Sequence, residues 1–172
     1  MKSLDELLAA EAIRNLKAIY CYALDTKDWP RIAALYTDDA VFDARGERSV
    51  SDGKAIQDLP SLQEAVATGD PLVPVGGQAI AAMIEAACKN WITVHHAHTP
   101  IIEITSPVTA EAIWPMSDYI DDGEHSLKGY GHYHERYRKV DDRWLVCYAT
   151  LTRIWVDGSH PWQNDKNAIA HP

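Results

Sequence analysis

A change of register partway along the chain constrains its fold more than any other feature. Before residue 90 the chain reads mainly as helices, and residues 91–156 read as strand throughout, broken only by short polar turns. Ser3 and Glu6 form a capping-box pattern ahead of Leu7, Ile13, Leu16, Ile19, Tyr20 and Leu24 at helical spacing. This predicts one amphipathic helix over residues 4–24. Asp28 is a candidate N-cap for a second, short helix with Pro30 in its first turn and Ile32, Leu35 and Tyr36 on its apolar face. Asp38 and Asp39 read as a turn, and residues 40–43 as a short strand. Residues 78–89 read as a further helix with Ile80, Met83 and Ile84 inward.

Strands are expected over 91–105, 109–120, 127–140 and 143–156. They are separated by Ser106-Pro107, by Asp121 to Glu124 and by Asp141-Asp142, which predicts a hairpin-linked antiparallel meander. Helices first and a long twisted sheet after is an α+β pattern. The expectation is a cone-shaped, curved antiparallel sheet closed by the N-terminal helices, an α+β barrel with an apolar interior suited to a small molecule. Residues 44–76 carry scattered Gly and Pro and read as an elaborated loop, with Ser61 and Glu64 able to cap a turn or two of helix. The tail from residue 157 is expected to drape over the body, and residues 1–172 to form one domain.

Composition excludes several classes. Hydrophobic residues make up 47% of the 172, so the chain is globular. The net charge of -9 and the lack of any Lys/Arg-rich run argue against nucleic acid and anionic membranes as partners. Cys21, Cys88 and Cys147 are far apart and in apolar contexts, as buried free thiols in a reducing compartment would be. There is no signal-peptide pattern and no bilayer-length apolar run, so a soluble cytoplasmic protein is expected. No phosphate loop, nucleophile elbow or Cys-x-x-Cys occurs.

Three segments, EAIRNLKAIYCYALDTKDWPRIAALYTDDAVFD, HHAHTPIIEITSPVTAEAIW and GYGHYHERYRKVDDRW, together resemble a SnoaL-like domain of the nuclear transport factor-like superfamily. The resemblance is greatest to the group holding bile acid 7α-dehydratase, scytalone dehydratase and hexachlorocyclohexane dehydrochlorinase. It implies a cofactor-independent Asp–His pair and a trimeric assembly. The pattern LDTKDW places the aspartate on Asp25, and register from Ile101 places the histidine on His95. Tyr20 and Asp118 take the positions of a pocket tyrosine and a second aspartate. The departures are a longer segment before the third helix, and Tyr20 where the dehydrochlorinase has lysine.

The residues themselves leave alternatives open. Asp25 at a helix C-terminus opposes the macrodipole, so a partner must compensate it. In His95-His96-Ala97-His98 the faces alternate, and parity alone does not choose between His95 and His96 as the pocket base. A metal on these histidines is not expected, since no further ligand follows at a recognisable spacing. Asp118 shares its strand parity with Trp114 and Met116 and belongs either to a pocket wall or to a frayed strand end. Tyr20 is a core aromatic or a cavity hydroxyl. His132, Tyr133 and His134 alternate, so one parity lines the pocket. Arg153 reads as a structural ion pair.

The function expected is a cofactor-independent lyase, a dehydratase or a related eliminating or isomerising enzyme. Asp25, His95, Tyr20 and Asp118 are its candidate catalytic residues, and Trp114, Met116, Tyr133, His96 and His132 its candidate substrate contacts. The substrate would be hydrophobic, sterol-like or aromatic, and the chain a homotrimer or alternatively a dimer. The rival is a non-catalytic binding or assembly module, such as the small subunit of a ring-hydroxylating dioxygenase.

Overall fold

Ser3 and Glu6 start the first helix by exchanging hydrogen bonds, Ser3 N–H to Glu6 Oε2 at 2.6 Å and Glu6 N–H to Ser3 Oγ at 3.2 Å. The computed structural model describes residues 3–48 and 59–158. Helix α1 (Leu4–Asp25) buries Ala9, Ile13, Leu16, Tyr20, Ala23 and Leu24, three or four residues apart, along one stripe. Each large apolar side chain so buried contributes roughly 1.5–3 kcal/mol, well above any difference in helix propensity. Helix α2 (Trp29–Ala33) follows, N-capped by Asp28, whose carboxylate accepts the Arg31 N–H.

Strand β1 (Tyr36–Asp43) is longer than the sequence suggests. Asp38 and Asp39 form no separate turn; they sit in a register shift within the strand, between Tyr36 and Val41. The expected loop at 44–76 contains α3 (Arg45–Arg48) and α4 (Leu62–Thr68) in its described parts. Ser61 and Glu64 close a second capping box, and Gly69 ends α4 in the left-handed conformation. Residues 49–58 of that segment, and the tail beyond 158, lie outside the described residues. Helix α5 (Gly77–Cys88) packs against α2 and β1.

The sheet runs β1-β6-β5-β4-β2, where β2 is Ile92–Ala97, with β3 (Ile101–Ser106) also paired to β4. Its long members are β4 (Thr109–Asp121), β5 (Ser126–Val140) and β6 (Arg143–Gly158). The β5–β6 hairpin turns through Asp141 and Asp142, both at positive φ (46° and 61°), the conformation a two-residue hairpin favours. The sheet is mixed, not wholly antiparallel, because β1 runs parallel to β6. Hairpins force antiparallel pairing only between sequence neighbours, and β1 and β6 are the first and last strands. Nor is it closed: β1 and the β2/β3 side are opposite edges, and helix α1 lies against β2, β3 and β6.

The expected strand over 91–105 is two, β2 (Ile92–Ala97) and β3 (Ile101–Ser106), end to end along β4. Ala97 opposes Met116 and Ile101 opposes Ile113, so three intervening residues face two. The extra residue is a bulge that reverses side-chain parity. Before it the odd residues Thr93 and His95 face α1; after it Ile102 and Ile104 do. On β4 the even residues from Ala110 to Ile120 face inward, and on β5 the odd residues from Leu127 to Tyr137.

Candidate active site

The end of α1 sets the site. Asp28 N–H donates to Ala23 O at 2.8 Å and Lys27 N–H to Leu24 O at 3.3 Å, a Schellman stop with Lys27 in the left-handed position at φ 63°. Glycine usually fills that position, and a side chain there costs about 1 kcal/mol. The stop holds Asp25 against β2. His95 N–H donates to Asp25 Oδ2 at 2.8 Å, and His95 Nδ1 lies 2.7 Å from Asp25 Oδ1. Thr93 Oγ1 donates to the same Oδ1 at 3.0 Å. Partial burial pushes the Asp25 carboxyl up. The hydrogen bonds from the His95 ring and backbone, the imidazole's charge and Thr93 outweigh it and hold Asp25 below the usual carboxylate range.

His95 is the histidine that meets Asp25; His96 and His98 point to the opposite face, are exposed, and stack at 6.4 Å. The His95 side chain is 7% exposed. It lines a cavity of about 110 Å³, partly open to solvent, bounded by α1, α5, β1 and the sheet. Most of its wall is apolar: Leu24, Phe42, Met83, Ile84, Trp91, Ile120 and Leu151. The polar groups are His95, Asp118, Tyr20 and Tyr133. Burial first, then the neighbouring Tyr133 and Tyr36, raises the Tyr20 phenol well above its usual value, so it stays protonated. A hydrogen bond joins its hydroxyl to Tyr36.

Asp118 stands directly opposite His95 across the β2–β4 pair. Its two oxygens accept from Arg153 Nη1 and Nη2, each at 2.7 Å. The pair is buried, with side chains 3% and 1% exposed. Arg153 belongs to β6, and β5 runs between the two. Gly129 makes the contact possible, since a Cβ there would lie 1.8 Å from Arg153 Nη1 and 2.2 Å from Asp118 Oδ1. Arg153 therefore makes an ion pair, as its strand position suggests, but with a residue of the cavity wall.

Beneath Tyr20 and Tyr133 lies a second buried pair. Lys17 Nζ donates to Glu135 Oε1 at 2.6 Å and sits 3.3 Å from the centre of the Tyr133 ring. Glu135 Oε2 accepts from the Tyr137 hydroxyl, which accepts from Trp114 Nε1 at 2.9 Å. Lys17 falls on the apolar stripe of α1, one turn before Tyr20, and a lysine there carries no sequence signal of burial. Glu135, at an inward β5 position beside Tyr133, was the readable half of the pair.

The structure thus brings Asp25, His95, Tyr20, Asp118 and Tyr133 together. Trp114 and Met116 are on the inward face, buried in the core and not on the cavity wall. His96 and His132 lie on the outer face of the sheet, because β2 before its bulge and β5 both turn even residues outward. Trp155 stacks on Tyr130 at 5.2 Å on that outer face. Thr93, Lys27 and the α5 residues Met83, Ile84 and Ala87 were missed. Glycines at the inward positions 129 and 131 were the signal for the Arg153 crossing. Among the described residues no three His, Cys, Asp or Glu side chains are grouped to hold a metal, and no helix is long and apolar enough to cross a membrane.

The fold is a helix-backed, curved mixed sheet of the α+β class, with a hydrogen-bonded carboxylate–imidazole pair on its cavity wall. The chain belongs to the SnoaL-like domain family, which matches residues 5–150. A probable cyclase of Gibberella zeae is 26% identical over 151 residues, 86% of this chain and 92% of that protein. Two solved structures share the fold. A candidate scytalone dehydratase from Novosphingobium aromaticivorans has a TM-score of 0.70 and 18% identity, over 91% of each chain. A type 2 hexachlorocyclohexane dehydrochlorinase has a TM-score of 0.69 and 16% identity, over 92% of this chain and 94% of that one.

Proposed function

We propose that the protein is a cofactor-independent lyase that eliminates water or a similar group from a hydrophobic, ring-bearing small molecule. One observation carries the reading: an imidazole on the wall of a mostly apolar cavity is held by a single carboxylate at both its ring and its backbone. In the reaction, Asp25 accepts the Nδ1–H, which leaves Nε2 as the base. Nε2 removes a proton from carbon beside a carbonyl, and Tyr20 hydrogen-bonds the oxygen on which charge develops. The imidazolium returns that proton to the departing hydroxyl as the carbon–oxygen bond breaks and the double bond forms. Asp118 does not donate it, since both its oxygens are engaged by Arg153; the ion pair instead places fixed charge beside His95. The neighbours named as dehydratase, dehydrochlorinase and cyclase support a lyase-like role. The apolar walls suit an aromatic, polyketide or sterol-like body.

The test needs no known substrate. Bicyclic aromatic ketones such as tetralones are incubated with the protein in deuterium oxide, and exchange beside the carbonyl is followed by NMR. Exchange that disappears in His95→Ala supports the reading. A panel of ketones of increasing size that shows no exchange above buffer would sink it, and would favour the binding-module alternative.

A further inference from the structure

We propose that Lys27 is a positioning residue, which acts on the Asp25–His95 pair through Thr93. The inference rests on the reading of that pair as the acid–base element. Lys27 occupies the left-handed stop of α1 at φ 63°, where a side chain is strained and glycine is the usual choice. The position aims its ammonium at β2. Nζ donates to Thr93 Oγ1 at 2.8 Å, and Thr93 Oγ1 lies 3.0 Å from Asp25 Oδ1. An ammonium has donors only, so the Thr93 oxygen must accept from it. The single hydroxyl proton of Thr93 then points at Asp25. The direction of the whole chain, Lys27 to Thr93 to Asp25, is fixed at both ends, by an ammonium that only donates and a carboxylate that only accepts.

The consequence falls on Asp25. Oδ1 receives Thr93 and the His95 ring, and Oδ2 receives the His95 backbone N–H. A carboxylate with three donors is an acceptor only, which fixes the ring as the Nδ1–H tautomer and presents Nε2 to the cavity. Without Lys27 the Thr93 oxygen loses the donor that polarises its hydroxyl toward Asp25, and Asp25 loses a nearby positive charge. Cys21, one turn earlier on α1, and Cys88 on α5 also lie near this chain, and the Asp118–Arg153 ion pair stands opposite His95. The two are thiols and the ion pair is neutral overall, so none of them replaces the ammonium.

The experiment uses the full chain without ligand. The Asp25 carboxyl is titrated by 13C NMR in wild type, Lys27→Met, Lys27→Arg, Lys27→Gly and Thr93→Val, and the His95 ring nitrogens are followed by 15N NMR. The midpoint of Asp25 should rise by about half a unit in Lys27→Met, the size expected for one screened charge several ångströms away. It should rise likewise in Thr93→Val, and return toward wild type in Lys27→Arg. Lys27→Gly suits the left-handed backbone, so it keeps the fold while moving the midpoint as Met does. An Asp25 midpoint unchanged in both Lys27→Met and Lys27→Gly overturns the proposal, as does failure of Lys27→Arg to restore it. The base reading fails by a different result, ketone exchange that survives His95→Ala.

Discussion

His95 reaches Asp25 twice, through its ring Nδ1 at 2.7 Å and through its backbone N–H at 2.8 Å. The second contact ties the carboxylate to the strand itself, so the ring's partner cannot drift when the ring moves. Asp25→Asn keeps the shape but offers an amide that can favour the other imidazole tautomer and no longer stabilises the imidazolium. Proton-transfer activity should fall by roughly two orders of magnitude or more, while the circular dichroism spectrum is retained. Near-wild-type exchange in both Asp25→Asn and His95→Ala would remove the pair from the chemistry.

Gly129→Ala tests the crossing of β5. The new methyl would occupy the space of the Arg153 guanidinium and the Asp118 carboxylate. Separating two buried charges should lower stability by about 3 kcal/mol, read as a shift of the urea midpoint. A change under about 0.5 kcal/mol would show that the pair rearranges at little expense.

Lys17→Met leaves Glu135 buried beside Tyr137 without its cation. The expected loss is about 3–5 kcal/mol by chemical denaturation. The double variant Lys17→Met/Glu135→Gln should recover most of it, because the uncompensated charge is gone. Additive losses in the double variant would argue that packing, not charge, dominates the site.

Stability should fall at alkaline pH. Burial raises Tyr20, Tyr36 and Tyr137 well above the usual phenol value of 10.0. Near pH 10 the unfolded chain releases phenol protons that the folded protein still holds. The stabilisation is therefore complete below about pH 10 and is lost as pH rises from there toward the higher folded values. Burial also raises the Cys21 and Cys147 thiols above 9.0, so thermal midpoints should begin to fall near pH 9 and fall further above about pH 10; a level course to about pH 11 would contradict the assignment.

The outer face of the sheet carries Ile101, Ile113, Ile154, Tyr130 and Trp155, each more than a third exposed. Such a face is better covered by protein than by water. We predict a homotrimer built on it, with a dimer as the alternative. Light scattering that gives a monomer at micromolar concentration would reject both.

Much of this protein is local physics and was legible along the chain. The capping boxes at Ser3 and Ser61, the stripe of α1 and the hairpin turn at Asp141-Asp142 each depend on residues a few positions apart. The pattern LDTKDW and the histidine run pointed to Asp25 and His95, the two residues that the structure joins by hydrogen bonds, through resemblance and not through spacing. What the chain order could not supply was everything decided across strands. The β2 bulge sets which residues after His95 face inward, and it depends on register with β4. The direction of β1 is set by pairing with the last strand, more than a hundred residues away. Lys17 with Glu135, and Arg153 with Asp118, are 118 and 35 residues apart. A charged side chain reads as solvated until its partner is placed opposite it, because burial is tolerable only once the two meet. Helices and turns arise from neighbours in sequence, whereas buried charge pairs and cavity walls arise from neighbours in space.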